Sequence, residues 1–487
     1  MAYSDSDRGE IREAALRFLA ATFAQLKTPP SVTLPGFHPY LRAGRESYWS
    51  SLTALREYKR LESALNKANP RLFSSRAGTE FVTASSIISS FLAAVIWRHS
   101  ASGQNLDPQS PTTAACLQEL VAAASTDQCR VACCRLVSHV TTSDGSTVEI
   151  GDYAISPMRD DVEVAMAVRQ VIPSVAYAPP TELPHAFDPP HALIVVRDRG
   201  RNRFDTAAKL SRRLERLMLL LRLLYGGTLE SFYEVSGETG LVCRHAPNVA
   251  LFRRGTLGAI RRTIRLTAAD AGPVAALDAM LDSLGTDRTD VVVTSLDMAL
   301  WKFSESYLGT PWFDQLVDVC TALEAALSGQ DKDDVLLRLR SRTATLLATE
   351  QDSAEAIFAD VGELYGLRST LVHGGSVPVK SAEKTFRRLS TFRSGLPASV
   401  ALAFAVDRLR DLVRRATLAR MALASGAEPL WPLDGKVSVD AILADDHKRQ
   451  QWRAAWREQL ASMGAERAAD RASDAVDSFS REDRMSP

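Results

Sequence analysis

Residues 363–378 read ELYGLRSTLVHGGSVP. The run has the leucine spacing of a packed helix until two glycines stop it, yet it carries Arg368 among its leucines and His373 at its last position. On a wheel at about 100° per residue, Ile357, Phe358, Val361, Leu364, Tyr365, Leu367, Leu371 and Val372 fill one broad arc, with Arg368 near its middle. A guanidinium buried there costs several kcal/mol unless it is paired. Arg368 therefore snorkels, pairs with an acid, or lines a cleft between helices that admits an anion. His373, five positions on, points roughly 140° away from Arg368. The two meet over one phosphate only if Gly374 and Gly375 open the last turn, or if a second copy of the chain supplies the missing partner. At the end of a helix the dipole favours imidazolium, which suits His373 to acid and base work near neutral pH. Capping free carbonyls is the structural alternative for the same residue.

The chain that carries this stretch has 487 residues, long enough for several domains, and its 46% hydrophobic and 24% charged residues are ordinary globular values, so most of it should bury a core. Formal net charge is zero, so no overall positive field draws it to nucleic acid or to an anionic membrane, and any such binding must come from a local patch. The first residues lack a basic segment followed by an apolar one, and the six cysteines are sparse, which together point to a reduced, cytoplasmic setting. The uncharged run Phe81–Trp97 approaches the length of a membrane span, but its five hydroxyl residues dilute it, and a buried helix is expected instead.

Composition divides the chain into four. Residues 1–125 form a mainly helical N-terminal region. Residues 126–290 are a mixed α/β region with β-branched runs at STVEIGDYAI and HALIVVRD and a proline-rich connection between them. Residues 291–425 are helical throughout and contain the motif. Residues 426–487 give a C-terminal helix and then ASMGAERAADRASDAVDSFSREDRMSP, which is charged, small and expected to be disordered. The fold class that follows is α+β and multidomain, a mixed N-terminal region ahead of an all-α bundle.

Most familiar chemistries find no support. There is no phosphate-binding G-x-x-x-x-G-K-[ST] loop, no G-x-G-x-x-G after a strand, no H-E-x-x-H and no G-x-S-x-G. Cys129, Cys133 and Cys134 with His139 lack the paired knuckles of a zinc site, and VACCRLVSHV reads as a half-buried helix or strand. His185, Asp188 and His191 flank prolines and read as polar loop residues. No metal or cofactor is expected.

The motif and its surroundings resemble the HEPN superfamily, in particular the Apea-like branch. R-S-T-L-V-H-G after Leu364 and Tyr365 resembles that branch's R-x(4–6)-H helix; ALWKFSESYLGTPWFDQLVDVCTALEAALSG resembles its opening helices, and VALAFAVDRLRDLVRRATLARMAL its closing one. The resemblance covers about a quarter of the chain. It implies a helical bundle that pairs as a homodimer with the motif helices facing, and a metal-independent endoribonuclease of a phage-defence or stress-response system. In that chemistry the ribose 2′-OH attacks the adjacent phosphodiester, giving a 2′,3′-cyclic phosphate. Carried over by position, His373 is the acid or base, Arg368 binds the scissile phosphate and Ser369 adds a hydrogen bond. Glu324 matches the family's helix glutamate and would pair with Arg368 or orient His373. Asp318 matches its other acid, but the wheel puts it on the solvated side. A non-catalytic HEPN module for dimerisation or nucleic-acid binding is the other reading that this resemblance allows.

RNA also needs a surface that tracks phosphates. Arg387, Arg388 and Arg393 follow the motif, and Arg408, Arg410, Arg414, Arg415 and Arg420 decorate the closing helix, with Arg408 and Arg415 on one face. The segment Arg253–Leu266 is a second basic candidate. A nuclease of this kind must be held inactive, and residues 1–290 are where a sensor for an unknown trigger would sit.

Overall fold

A computed structural model describes residues 5–25, 52–68, 84–124, 129–143, 145–158, 191–200, 203–226, 229, 231–238, 248–251, 263–285, 293–308, 312–328, 334–392, 398–426, 428–431 and 438–470. The class is α+β: helices, a six-stranded sheet, and a helical C-terminal region.

Four helices, α1 (Asp5–Gln25), α2 (Arg56–Ala68), α3 (Ala84–Ala101) and α4 (Pro111–Ala124), share one core of their own, built on Phe18, Leu61, Ile88, Phe91 and Leu120. Residues 84–97 of the apolar run expected to be a buried helix lie in α3, and among the described residues no helix is long and apolar enough to cross a membrane.

Strands β1 (Cys129–Ser138), β2 (Val140–Thr142), β3 (Val148–Ile150), β4 (Tyr153–Met158), β5 (His191–Gly200), β6 (Ser231–Glu238), β7 (Asn248–Leu251) and β8 (Ile264–Leu266) follow. The six-stranded sheet is antiparallel, in the order β3-β4-β5-β1-β6-β7, while β2 and β8 form a separate parallel pair. VACCRLVSHV thus resolves to the long strand β1 and its exit, with Cys133 and Cys134 buried as thiols. Alternation explains the side-chain split: Val131, Cys133 and Val137 face the apolar helix α5 (Arg203–Tyr225), while Ala132, Cys134 and Leu136 face the other way.

From α6 (Ala271–Ser283) the chain runs through α7 (Ser295–Glu305), α8 (Trp312–Leu327), α9 (Val335–Leu347), α10 (Ala354–Val372), α11 (Val379–Phe386), α12 (Ala398–Ala424), α13 (Val439–Ala444) and α14 (Asp446–Ser462). Helix α12 is the axis. It packs against α7, α8, α9, α11 and α14 and also reaches α5, so it is buried around its whole circumference. One apolar core runs from Val131 to Ala469. The boundary expected near 290 therefore separates no two cores, because the sheet-covering helix and the motif helix pack into the same interior.

Two further expectations need correction. The arginines of α12 do not form a phosphate-tracking strip. Arg408 and Arg415 are 3% and 0% exposed, and Arg410, Arg414 and Arg420 are buried as well. Arg408 holds Asp352 through both terminal nitrogens, at 2.9 and 2.7 Å, and Asp360 through Nε at 2.8 Å. Arg415 donates to the same Asp352 and lies 3.1 Å from Asp411. Arg414 donates to the carbonyls of Leu223, Ala468 and Asp470, and Arg420 to those of Ala325 and Ala326. Nor is the described part of the tail, residues 461–470, irregular; residues 471–487 lie outside the described residues. Residues 461–470 complete α14 and a short 3-10 turn, with Ala465, Ala468 and Ala469 buried, because small residues fit closely where Arg414 takes the carbonyls of Ala468 and Asp470.

The buried network sets a pH response. Burial raises the carboxyls of Asp352 and Asp411, but hydrogen bonds and charge from Arg408, Arg414 and Arg415 outweigh it and hold both below the usual carboxylate range. Their stabilisation is present above the unfolded carboxylate value of about 3.9 and is lost as pH falls through the lower folded values. Asp352→Asn, which leaves two buried guanidiniums short of charge, should cost about 3–5 kcal/mol in urea unfolding near pH 7. Its stability should also fall less steeply than that of the wild type below pH ~4. A variant as stable as the wild type, with an unchanged acid limb, would exclude a stabilising role for the network.

Candidate functional site

Helix α10 begins at Ser353, whose hydroxyl accepts the Ala356 N–H at 3.2 Å, and it is fixed in rotation by Asp360, which points into the core. Asp360 accepts from Arg408 and from both the N–H and the hydroxyl of Ser390, so the helix is tied to α12 and to the segment after α11. From that anchor the wheel carries Arg368 to the edge of the core and His373 to the outside. The Arg368 side chain is 18% exposed, and His373 is exposed.

The end of α10 answers the question raised by the two glycines. His373 is the C-cap residue, one past the helix's last residue Val372, and Gly374 has φ +75°, the left-handed conformation that a Cβ disfavours. Its N–H donates to Leu371 O at 3.2 Å, and the Gly375 N–H donates to Thr370 O at 2.9 Å. That is a closed Schellman cap, so the last turn is not opened to swing His373 towards Arg368. A Cβ at Gly375 would stand 2.8 Å from Thr370 Cγ2 and 2.9 Å from Thr370 O, which explains why the second glycine is needed too.

Glu324 lies in the last turn of α8 and comes to Arg368 as the sequence suggested, with Oε1 3.5 Å from Nη2. The same oxygen accepts a short hydrogen bond from the Tyr365 hydroxyl. The Tyr365 ring lies beside the guanidinium, with Cζ 5.3 Å from its centroid, as the three-residue spacing on a helix allows. Burial, and then the carboxylate on its hydroxyl, push the Tyr365 phenol well up; burial does the same to the Cys320 thiol, one turn before Glu324. Arg368 Nε is buried and has no hydrogen-bond partner among the described residues. The site is thus an arginine with spare donors, an acid at the edge of contact, and a tyrosine touching both.

Several other predicted residues lie elsewhere. Ser369 is half-buried beside Arg368. Asp318 is not solvated; its side chain is 17% exposed and pairs with Lys302 of α7 at 2.7 Å. Arg387 and Arg388 are exposed after α11, and Arg388 pairs with Glu363 of α10 at 3.1 Å. Arg408 and Arg415 belong to the core described above. Arg393, His185, Asp188, and residues 253–262 of the second basic segment lie outside the described residues. Among the described residues no group of three or more His, Cys, Asp and Glu is arranged to hold a metal ion. Sequence reading gave Tyr365 only a packing role; its spacing from Arg368 was the available signal. The chain matches no protein-family model, no curated protein and no solved structure.

The cap is testable on its own. Gly374→Ala forces a side chain into φ +75° and should cost about 1–2 kcal/mol. Gly375→Ala, whose Cβ would instead meet Thr370 Cγ2 and the Thr370 carbonyl oxygen, should cost at least as much in the same urea titration. Two alanine variants with wild-type midpoints would show that α10 does not end in this cap.

Proposed function

We propose that the chain is a metal-independent endoribonuclease of the HEPN type that works as a homodimer. The observation that supports this most is the state of Arg368: its side chain borders the core at 18% exposure and its Nη2 stands 3.5 Å from Glu324 without closing on it, which is what a phosphate-binding guanidinium needs before substrate arrives. In the proposed reaction a base removes the proton of a ribose 2′-OH, the 2′ oxygen attacks the adjacent phosphorus, and the 5′ oxygen leaves with a proton from an acid. The products are a 2′,3′-cyclic phosphate and a 5′-OH end. Arg368 neutralises the extra charge on phosphorus, and His373 carries the proton.

Because the closed cap keeps Arg368 and His373 of one chain apart in direction, the reading needs the histidine of a second protomer beside Arg368. The flanking surface suits such a contact. Phe313 lies eleven residues before Glu324 and Val372 four after Arg368, so by helical geometry each shares a face with its site residue. They are 43% and 50% exposed, large apolar side chains open to solvent.

One observation favours a non-catalytic reading. An arginine that already has a carboxylate and a tyrosine beside it is accounted for by joining α10 to α8. Incubating the protein with RNA in chelator separates the two readings. The ribonuclease reading expects cyclic-phosphate ends that disappear in Arg368→Ala and His373→Ala while the dimer persists. Equal cleavage by variants and wild type, or none by the wild-type dimer, would leave the bundle as a binding module.

A further inference from the structure

The contact between Glu324 and Arg368 is longer than such a pair needs to be. A guanidinium and a carboxylate that meet freely close to about 2.7–2.9 Å, often through two parallel hydrogen bonds, as Arg408 and Asp352 do in the same molecule. Glu324 instead approaches Arg368 with one oxygen at 3.5 Å, and that oxygen is the one the Tyr365 hydroxyl holds. Both side chains have room to adjust, since Glu324 is 25% exposed and Arg368 18%. Burial alone does not hold them apart.

We propose that Tyr365 is a positioning residue: by anchoring Glu324 it keeps the acid from closing on Arg368, so that the guanidinium stays free to exchange its counter-ion for an RNA phosphate. This rests on the ribonuclease reading above and adds a regulator of the same site. The three side chains divide the work. Arg368 supplies the anion-binding donors. Glu324 is the resting counter-ion, which offsets the charge of a half-buried guanidinium when no phosphate is present. Tyr365 fixes the distance between them, with its hydroxyl on the acid and its ring beside the cation. Without the hydroxyl, nothing among the described contacts holds Glu324 back, and it forms a closed pair that a phosphate must break.

This makes opposite demands on two conservative substitutions. Glu324→Gln removes the competing charge and leaves a side chain that the tyrosine can still hold. Tyr365→Phe keeps the ring and releases the acid. Binding is read with an oligonucleotide carrying 2′-O-methyl groups, which cannot undergo 2′-OH attack, by fluorescence anisotropy in chelator at fixed salt; the KM and kcat of cleavable RNA are measured in parallel.

The expected result is that Glu324→Gln tightens binding about tenfold. Tyr365→Phe should weaken it several-fold, chiefly through KM, and the double variant should bind like Glu324→Gln alone. A Tyr365→Phe defect that persists undiminished in the Glu324→Gln background would overturn the proposal, because the hydroxyl would then act through something other than the acid. So would unchanged or weaker binding by Glu324→Gln, a variant that keeps the shape of the side chain and so tests the idea even if Tyr365→Phe folds poorly. Failure of the underlying reading looks different: Arg368→Ala would bind the oligonucleotide as the wild type does, and no variant would release cyclic-phosphate ends.

Discussion

The fold turns on a buried contact in which Asp352 and Asp360, on either side of the start of α10, meet Arg408 and Arg415 of the central helix α12. All four side chains are at most 1% exposed. Taking such charges out of water is costly, and the cost is met only where every donor finds a well-placed acceptor. Arg408 satisfies this with three hydrogen bonds to two carboxylates. The contact sets more than stability, because it fixes how α10 is turned about its own axis. With Asp360 aimed inward, eight residues bring Arg368 about 80° round, to the rim of the core, and thirteen bring His373 about 140° the other way, to solvent. The positions of both motif residues follow from a pair of acids that the motif does not contain.

The same chemistry recurs at helix ends elsewhere in the molecule. Several helix C-termini leave carbonyls inside the molecule, and guanidiniums collect them: Arg420 and Arg342 at the end of α8, Arg414 at the end of α5, Arg453 and Arg457 at Ala348 after α9. A planar fork reaches two such oxygens at once, which an ammonium on a flexible stem does less well. Arg222 shows the limit of this arrangement. Fully buried, it donates to Leu229 O and lies over the Tyr307 ring, and burial pulls its pKa down to about 10.

How much of this was legible depended on the distance in sequence between partners. Helices and strands that reveal themselves by local periodicity, such as α3, β5 and α10, could be read directly; the approach of Glu324 to Arg368 was one of two roles that the family resemblance offered for that acid, and the wheel had put Arg368 nearer the middle of its arc than the rim where it lies. The fate of Arg408 and Arg415 could not. Their spacing on one face fits a solvated basic strip and a buried network equally well, and the deciding acids lie some fifty residues earlier and become neighbours only through packing. Residues 461–470 failed for a related reason: an alanine-rich stretch lacks the large apolar side chains that mark a core, yet small residues pack well where the backbone itself must approach, as Ala468 does beside Arg414. The hydroxyl of Tyr365 was hidden because a tyrosine in an apolar arc already has a sufficient role in packing.

The closed cap after His373 is where these constraints bear on function. Had the glycines loosened the helix, one chain could have gathered both motif residues, and any activity would have been a property of the monomer. Gly375 instead donates back to Thr370, the turn stays shut, and the rotation set by Asp360 sends arginine and histidine to different sides of the helix. Chemistry that needs both groups at one phosphate must then be assembled between molecules. Its rate would depend on how many chains are paired, so control over such a site can act through association and needs no movement inside the bundle.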